Sequence, residues 1–387
     1  MNIVLFSHPL FLEHQSMPRY ANWLSDGMRE RGHNVTILYP EPVTYKWKVP
    51  QKFKKLFGYI DQYVLFPKKF KSKIKQYPTD TLFVFSDHAL GPWVPLVAHR
   101  QHVVHCHDFL AQKSALGQIP ENPTGSFGKI YQKYIRSGYR NASNFISISY
   151  KTQEDLHYFL KTKPDRSEVV YNGLNQNFEL LNAVDCRNTL GNYINADLSN
   201  GYFLHVGGNL WYKNRKGILL IYDAWRKLNI YSNIKLVMLG AAPDGELKSV
   251  YNDCTYKDDI YFVTGANDDV LRKAYGGAVM MLFPSLAEGF GWPIAEAMAS
   301  GIPVMTTDEA PMNEVAGNAA LLIKKAPNEA SAIKAWAVNA ATEINIITQS
   351  QEALEDLINK GLENVKRFDS DRALDAIENI YKQICKV

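Results

Sequence analysis

The sequence predicts an α/β protein of two Rossmann-like, doubly wound domains, and three observations carry that prediction. Short β-branched and aromatic runs alternate with longer helical patterns from one end to the other, the order that builds right-handed strand–helix–strand units. Some runs, such as Val279-Met280-Met281-Leu282-Phe283, are apolar without a break, which suits parallel strands covered on both faces. The length of 387 residues exceeds what one hydrophobic core holds and fits two domains of roughly 150–200 residues.

Taken in order, the first six strands are expected at Asn2–Phe6, Val35–Tyr39, Leu82–Phe85, Val103–Cys106, Asn144–Ile148 and Glu168–Tyr171. Asn172-Gly173 is a strong turn signal, and the second set opens at Tyr202. Its strands are expected at Tyr202–Val206, Lys235–Leu239, Ile260–Val263, Val279–Phe283, Pro303–Thr306 and Ala320–Ile323. The domains are therefore expected at 1–180 and 185–367. A last helix at 368–387 has its apolar stripe at Leu374, Ile377, Ile380, Tyr381 and Ile384. No strand follows that helix, so it is expected to pack back on the first domain. Ligands of open parallel sheets bind beyond the carboxyl ends of the strands, so the two domains are expected to face each other across a cleft.

Composition narrows the function classes. Hydrophobic residues make up 46% and charged residues 21%, the balance of a folded chain rather than a disordered one. Lys and Arg number 43 against 39 acids, too even for a nucleic-acid binder. No run of about 18 apolar residues exists to span a bilayer. The start, Met1–Ser7, reads as no signal peptide. Cys106, Cys186, Cys254 and Cys385 lie far apart, which points away from zinc sites and disulfides and toward reduced thiols in a cytoplasmic protein.

One stretch departs from this balance. Residues 45–77 hold ten lysines and one acid, Asp61, interleaved with Trp47, Phe53, Phe57, Tyr59, Tyr63, Phe66 and Phe70. Two readings stand: a solvated helix pair with inward aromatics, or a peripheral surface for anionic lipid at the inner face of the cytoplasmic membrane. Nucleic acid is the weaker partner, because no recognition motif accompanies the charge.

The chemistry concentrates in Pro284-Ser285-Leu286-Ala287-Glu288-Gly289-Phe290-Gly291-Trp292-Pro293-Ile294-Ala295-Glu296-Ala297-Met298-Ala299-Ser300-Gly301. A buried strand ends at Pro284 and a loop presents Glu288. Gly289 and Gly291 let a ligand approach the backbone, and Pro293 suits the first turn of a helix that stops at Gly301. A glycine-led helix N-terminus favours phosphate. Glu296, about one turn inside, is placed to accept both hydroxyl protons of a vicinal diol such as a ribose.

This pattern, Glu-Gly-Phe-Gly-x-Pro-x-x-Glu-Ala-Met-Ala-x-Gly-x-Pro-Val, resembles the signature of the GT4-type retaining glycosyltransferases of GT-B fold. The resemblance extends through Arg31-Gly32-His33-Asn34-Val35, Ile148-Ser149, Asp155-Leu156, Val170-Tyr171-Asn172-Gly173, Asp308–Val315 and Arg367-Phe368. It implies a nucleotide-sugar donor held mainly by the second domain and an acceptor against the first, with no cofactor and no metal. It also implies retention by front-side attack, the leaving diphosphate helping to take the acceptor's proton. Glu288 is then expected on the transferred sugar and Glu296 on the ribose, with the amides of Phe290, Gly291 and Trp292 toward the diphosphate and sugar. His107, within Val103-Val104-His105-Cys106-His107-Asp108, matches the family's sugar-contacting histidine; its structural alternative is a histidine bonded to Asp108, while His105 is expected buried.

The diphosphate needs cations. In Gly207-Gly208-Asn209-Leu210-Trp211-Tyr212-Lys213-Asn214-Arg215-Lys216-Gly217, Asn209 stands where the family usually has arginine. Three cations crowd the later position. A guanidinium forks onto two phosphate oxygens and an ammonium acts as a point charge, so Arg215 with Lys213 is favoured and Lys216 is the plain alignment match. The base is expected near Gly265 and Ala266. In the first loop, His14, Ser16 and Arg19 are acceptor-side candidates, Ser16 also serving as a helix cap ahead of Pro18. The donor expected is UDP-glucose-like and the acceptor a saccharide or lipid-linked saccharide. GDP-mannose as donor, a nucleotide-sugar 2-epimerase, and a donor-binding subunit without activity are the alternatives. A dinucleotide-dependent dehydrogenase is set aside, since no GxGxxG follows Asn2–Phe6.

Overall fold

A computed structural model describes residues 1–12, 16–174 and 177–386. The chain divides into one unit of Met1–Asn175 with Ser370–Val387 and a second of Gln176–Asp369.

The first unit is a six-stranded sheet of β1 (Asn2–Phe6), β2 (Asn34–Leu38), β3 (Leu82–Phe85), β4 (His102–Cys106), β5 (Asn144–Ser147) and β6 (Arg166–Val169). Its order is β2-β1-β3-β4-β5-β6, parallel throughout. Alternate strand residues feed two cores, as the period of two requires. Phe6, Phe83, Phe85, Val104 and Phe145 point to one face, against Phe66, Phe70, Trp93 and Tyr139. Ile3, Leu5, Val84, Val103 and Ile146 point to the other, against Tyr20, Leu24 and Met28. The last helix, Ser370–Cys385, closes that second face with Leu374, Ile377, Ile380 and Tyr381, so it packs back on the first unit as expected. β6 lies two residues before its expected position. It is an edge strand of half-buried Arg166-Ser167-Glu168-Val169, so it carries no apolar run to betray it.

The second unit contains β7 (Tyr202–Gly207), β8 (Lys235–Gly240), β9 (Ile260–Val263), β10 (Met280–Phe283), β11 (Val304–Thr307) and β12 (Leu321–Ile323). Their order is β12-β11-β10-β7-β8-β9, again parallel. The strand order changes direction between β1 and β3 in one sheet and between β7 and β10 in the other. At such a point successive connections leave on opposite faces, and a crevice opens beyond the strand ends. Both sheets therefore have one place built for a ligand.

The lysine-rich segment buries some of its aromatics and leaves others exposed. Phe66 and Phe70 are in the core, and Asp61, its one acid, is buried. That carboxylate accepts from the backbone N–H groups of Val43 (3.0 Å), Thr44 (2.8 Å) and Tyr45 (2.9 Å). Trp47, Phe53, Leu56 and Val64 remain exposed, as do Phe127 and Ile130 on helix Ser126–Tyr139. Tyr59 and Tyr63 join the two regions, Tyr63 sharing a 2.6 Å hydroxyl bond with Tyr131. Among the described residues no helix is long and apolar enough to cross a membrane.

Candidate functional site

The site in the second unit lies at the switch between β7 and β10. The strand β7 ends at Gly207, where a Cβ would come within 2.9 Å of His205 Nε2, while nothing lies within 4 Å of a Cβ on Gly208. After the turn Trp211–Lys213, Asn214 adopts a left-handed conformation (φ 49°) and caps helix Arg215–Leu228, its Oδ1 accepting from Gly217 N at 3.2 Å. Its Nδ2 donates to Pro284 O at 3.0 Å, and Leu286 N donates to Tyr212 O at 2.7 Å. These bonds stitch the loop after β7 to the loop after β10.

The cations are placed by that cap. Lys213 Nζ is 2.8 Å from Glu288 Oε1 and 5.0 Å from the centre of the Phe283 ring. Arg215 opens the helix and is only 5% exposed. Its Nη1 donates to Asn209 Oδ1 and, at 2.8 Å, to Ala241 O. Its Nε and Nη2 are buried and have no hydrogen-bond partner among the described residues. Burial lowers the pKa of this guanidinium, and Asp244 only partly offsets it. Lys216, one residue on, is directed elsewhere: half-exposed, its Nζ lies 2.8 Å from Glu246. Asn209, at the position where the resemblance leads one to expect arginine, instead holds Arg215 and donates to Ala242 O.

His205 lies beneath this pair of cations. Its Nδ1 bonds Leu282 O at 3.1 Å, and its Nε2 is buried without a partner among the described residues. Burial, with Arg215 and Lys213 nearby, pushes its pKa down to about 3, so the ring is neutral. Sequence reasoning passed over His205 and Asn214. A histidine just before the Gly207-Gly208 pair and an asparagine between two cations were the signals available.

After β10, the chain rises through Glu288 to Gly291, whose φ of 106° only glycine adopts readily, and enters helix Trp292–Ala299 with Pro293 in its first turn. Phe290 is buried, its ring 5.4 Å from Trp292 and 5.4 Å from Phe368, which fixes the loop from below. Glu296 accepts a hydrogen bond from the buried Tyr275 hydroxyl at 2.7 Å, an orienting partner that the sequence did not reveal. Gly289 sits between Glu288 and Phe290 in the same loop. Gly265 (φ 69°) and Ala266 follow β9, the edge strand beyond β8, ahead of helix Asp268–Gly277.

In the first unit, His107 follows β4. Its Nε2 bonds Ser86 O at 2.8 Å and its ring meets Tyr20 edge-on at 4.5 Å; Asp108 instead accepts from Leu110 N. Burial lowers the His107 pKa, against the pull of Asp87. His105 is buried as expected, held between the hydroxyls of Tyr20 (2.8 Å) and Tyr381 (2.7 Å). Arg19 is exposed on helix Ser16–Glu30, which Ser16 opens. His14 lies outside the described residues.

Comparison with known proteins bears on the family and the fold. The family described as glycosyl transferases group 1 matches residues 201–341, and glycosyltransferase family 4 matches residues 17–178. Among curated relatives, the O-antigen chain mannosyltransferase RfbU of Salmonella typhimurium is 24% identical over 260 residues, covering 66% of this chain and 65% of its own. The O-antigen chain mannosyltransferase B of Escherichia coli is 28% identical over 186 residues, 47% of this chain and 46% of its own. The chain thus spans less than two thirds of the length of either relative. Among solved structures, sucrose-phosphate synthase from Thermosynechococcus elongatus superposes with a TM-score of 0.73 at 18% identity, covering 99% of both chains. Anabaena HepE in complex with UDP and glucose gives 0.68 at 16%, covering 98% of this chain and 99% of its own. With the two family matches together spanning most of the sequence, and two parallel six-stranded sheets of GT-B type beneath them, the chain belongs to the group 1, family 4 glycosyltransferases.

Proposed function

We propose that the protein is a retaining, metal-independent hexosyltransferase that moves a sugar from a nucleoside-diphosphate donor to a saccharide or lipid-linked saccharide. The observation that carries this reading is the Arg215 guanidinium, buried with two nitrogens unpartnered among the described residues. A buried unsatisfied donor costs about 1–3 kcal/mol, more when charged, and a diphosphate would satisfy it with forked, charge-assisted bonds. Lys213 supplies a second charge, and the N-terminus of helix Trp292–Ala299 a third. Together they stabilise the charge that develops as the sugar–phosphate bond breaks. Glu288 would hold the sugar hydroxyls and Glu296, fixed by Tyr275, the ribose.

The HepE likeness, at 16% identity, speaks for fold alone and not for uridine. The names of the two relatives favour mannose, so GDP-mannose ranks beside the UDP-glucose expected from the sequence. Thermal unfolding with each nucleotide sugar decides: a donor at a hundred times its Kd should add about 2.7 kcal/mol of stability. No stabilisation by either would refute the reading.

The lysine-rich segment supports association with an anionic membrane surface, since exposed Trp47, Phe53 and Leu56 lie among its lysines. Each lysine near such a surface contributes about 1 kcal/mol. Exchanging Lys46, Lys48, Lys52, Lys55, Lys71 and Lys75 for glutamine should therefore abolish binding to phosphatidylserine vesicles at low salt. Unchanged binding would return the segment to a solvated surface.

A further inference from the structure

Strands β7 and β8 run side by side with Gly207 opposite Gly240. A Cβ on Gly240 would come within 2.1 Å of Gly207 O, so these strand ends pack with no side chain between them, and the loops that follow stay abreast. Two residues beyond each glycine the loops are tied together, Asn209 Nδ2 donating to Ala242 O. The Oδ1 of the same side chain accepts from Arg215 Nη1, which also donates to Ala241 O at 2.8 Å. Asn209 thus joins the loop after β7, the loop after β8 and the first residue of helix Arg215–Leu228.

A guanidinium is planar and rigid, so two acceptors on one terminal nitrogen set the direction of the rest. The Phe262 ring, on β9, lies against the group with its centre 5.6 Å from Arg215 Cζ. The nitrogens left over, Nε and Nη2, are the two whose N–H bonds run parallel along one edge, the edge that forks onto a pair of phosphate oxygens. Both are buried and have no hydrogen-bond partner among the described residues. The bonds to Nη1 therefore occupy the one nitrogen that this fork does not use.

The residue type at 209 matters. A carboxamide both donates and accepts, whereas arginine has five donors and no acceptor. Asn209 uses both capacities, accepting from Arg215 and donating to Ala242. The arginine that the family resemblance leads one to expect at 209 could not accept from Arg215 and would repel it.

We propose that Asn209 is the positioning residue for Arg215 and aims the Nε–Nη2 edge of its guanidinium at the donor diphosphate, an assignment that rests on the glycosyltransferase reading. The chain carries its phosphate-binding guanidinium at 215 and, at 209, the acceptor that orients it. Asn209 acts on the donor through Arg215 alone.

Titration calorimetry of the full chain with GDP and with UDP tests this without requiring turnover. Arg215→Met should weaken the nucleotide that the wild type binds at least about 100-fold, and Asn209→Ala about 10-fold, the loss of one hydrogen bond to a charged group. Added to Arg215→Met, Asn209→Ala should cost less than about 2-fold more, because residues that act through one another are not additive. A residue that merely shaped the loop would weaken both backgrounds equally. Asn209→Arg should lose at least as much affinity as Asn209→Ala. Equal losses in the two backgrounds, or wild-type affinity in Asn209→Ala or Asn209→Arg, would overturn the assignment. Wild-type affinity in Arg215→Met, or no affinity of the wild type for either nucleotide, would instead overturn the donor-site reading beneath it.

Discussion

Replacing Arg215 with methionine should abolish donor turnover, by about 100- to 1000-fold, and leave the protein at least as stable as before. Activity falls because the guanidinium is the most deeply buried cation at the β7–β10 switch point and has its Nε and Nη2 uncommitted. Stability does not fall, because Arg215 is a desolvated charge of whose three nitrogens only Nη1 has a hydrogen-bond partner among the described residues. Exchanging a poorly compensated buried charge for an apolar side chain of similar length is commonly neutral or stabilising by about 1–4 kcal/mol. Asn209, left without its partner, is exposed and can bond water. Urea unfolding and a donor-release assay on one preparation check both halves. A variant that loses several kcal/mol would show that Arg215 holds the fold, and one that keeps its activity would remove it from the site.

Acidification should destabilise both units well above the carboxylate range. His105 in the first unit and His205 in the second both have folded pKa values pushed down to about 3, by burial foremost. In the unfolded chain each takes a proton near pH 6.5. Between those values the unfolded state binds more protons, so stability rises with pH. The contribution is complete above about pH 6.5 and is lost as pH falls toward 3, at about 1.4 kcal/mol per unit for each histidine. From pH 7 to pH 5 each should cost about 2 kcal/mol. Urea unfolding at the two pH values measures it. His105→Asn should flatten the loss for the first unit and His205→Asn for the second. An equal loss in wild type and variants would show that these rings do not carry it. The two histidines share a chemistry: each is a neutral ring buried on a strand, and His205 would gain nothing from a proton beside Arg215 and Lys213.

The geometry of the segment from Glu288 to Glu296 was legible because its residues are contiguous. From Glu288 to Glu296 the geometry is local: a loop, a glycine in a left-handed turn, a proline in the first helical position, and a carboxylate one turn in. Local backbone preferences decide such a segment. The cations are a different case. Lys213, Arg215 and Lys216 are near neighbours in sequence, but successive helical residues point about 100° apart. The left-handed cap at Asn214 sets the phase, burying Arg215 and leaving Lys216 to pair with Glu246. That cap is itself held by Pro284, 70 residues on. No pattern within the segment reports such a bond.

By itself, then, the amino-acid order determined the alternation of strands and helices, two sheets of six strands, and the glycine-led turn into helix Trp292–Ala299. Periodicity and backbone preference are properties of neighbours along a chain. Tertiary structure alone decided which of the three cations is buried and that Tyr275 orients Glu296. Each of these depends on strand order, which brings together the ends of segments far apart in sequence. Hydrogen bonding between such ends leaves no periodic trace in either one.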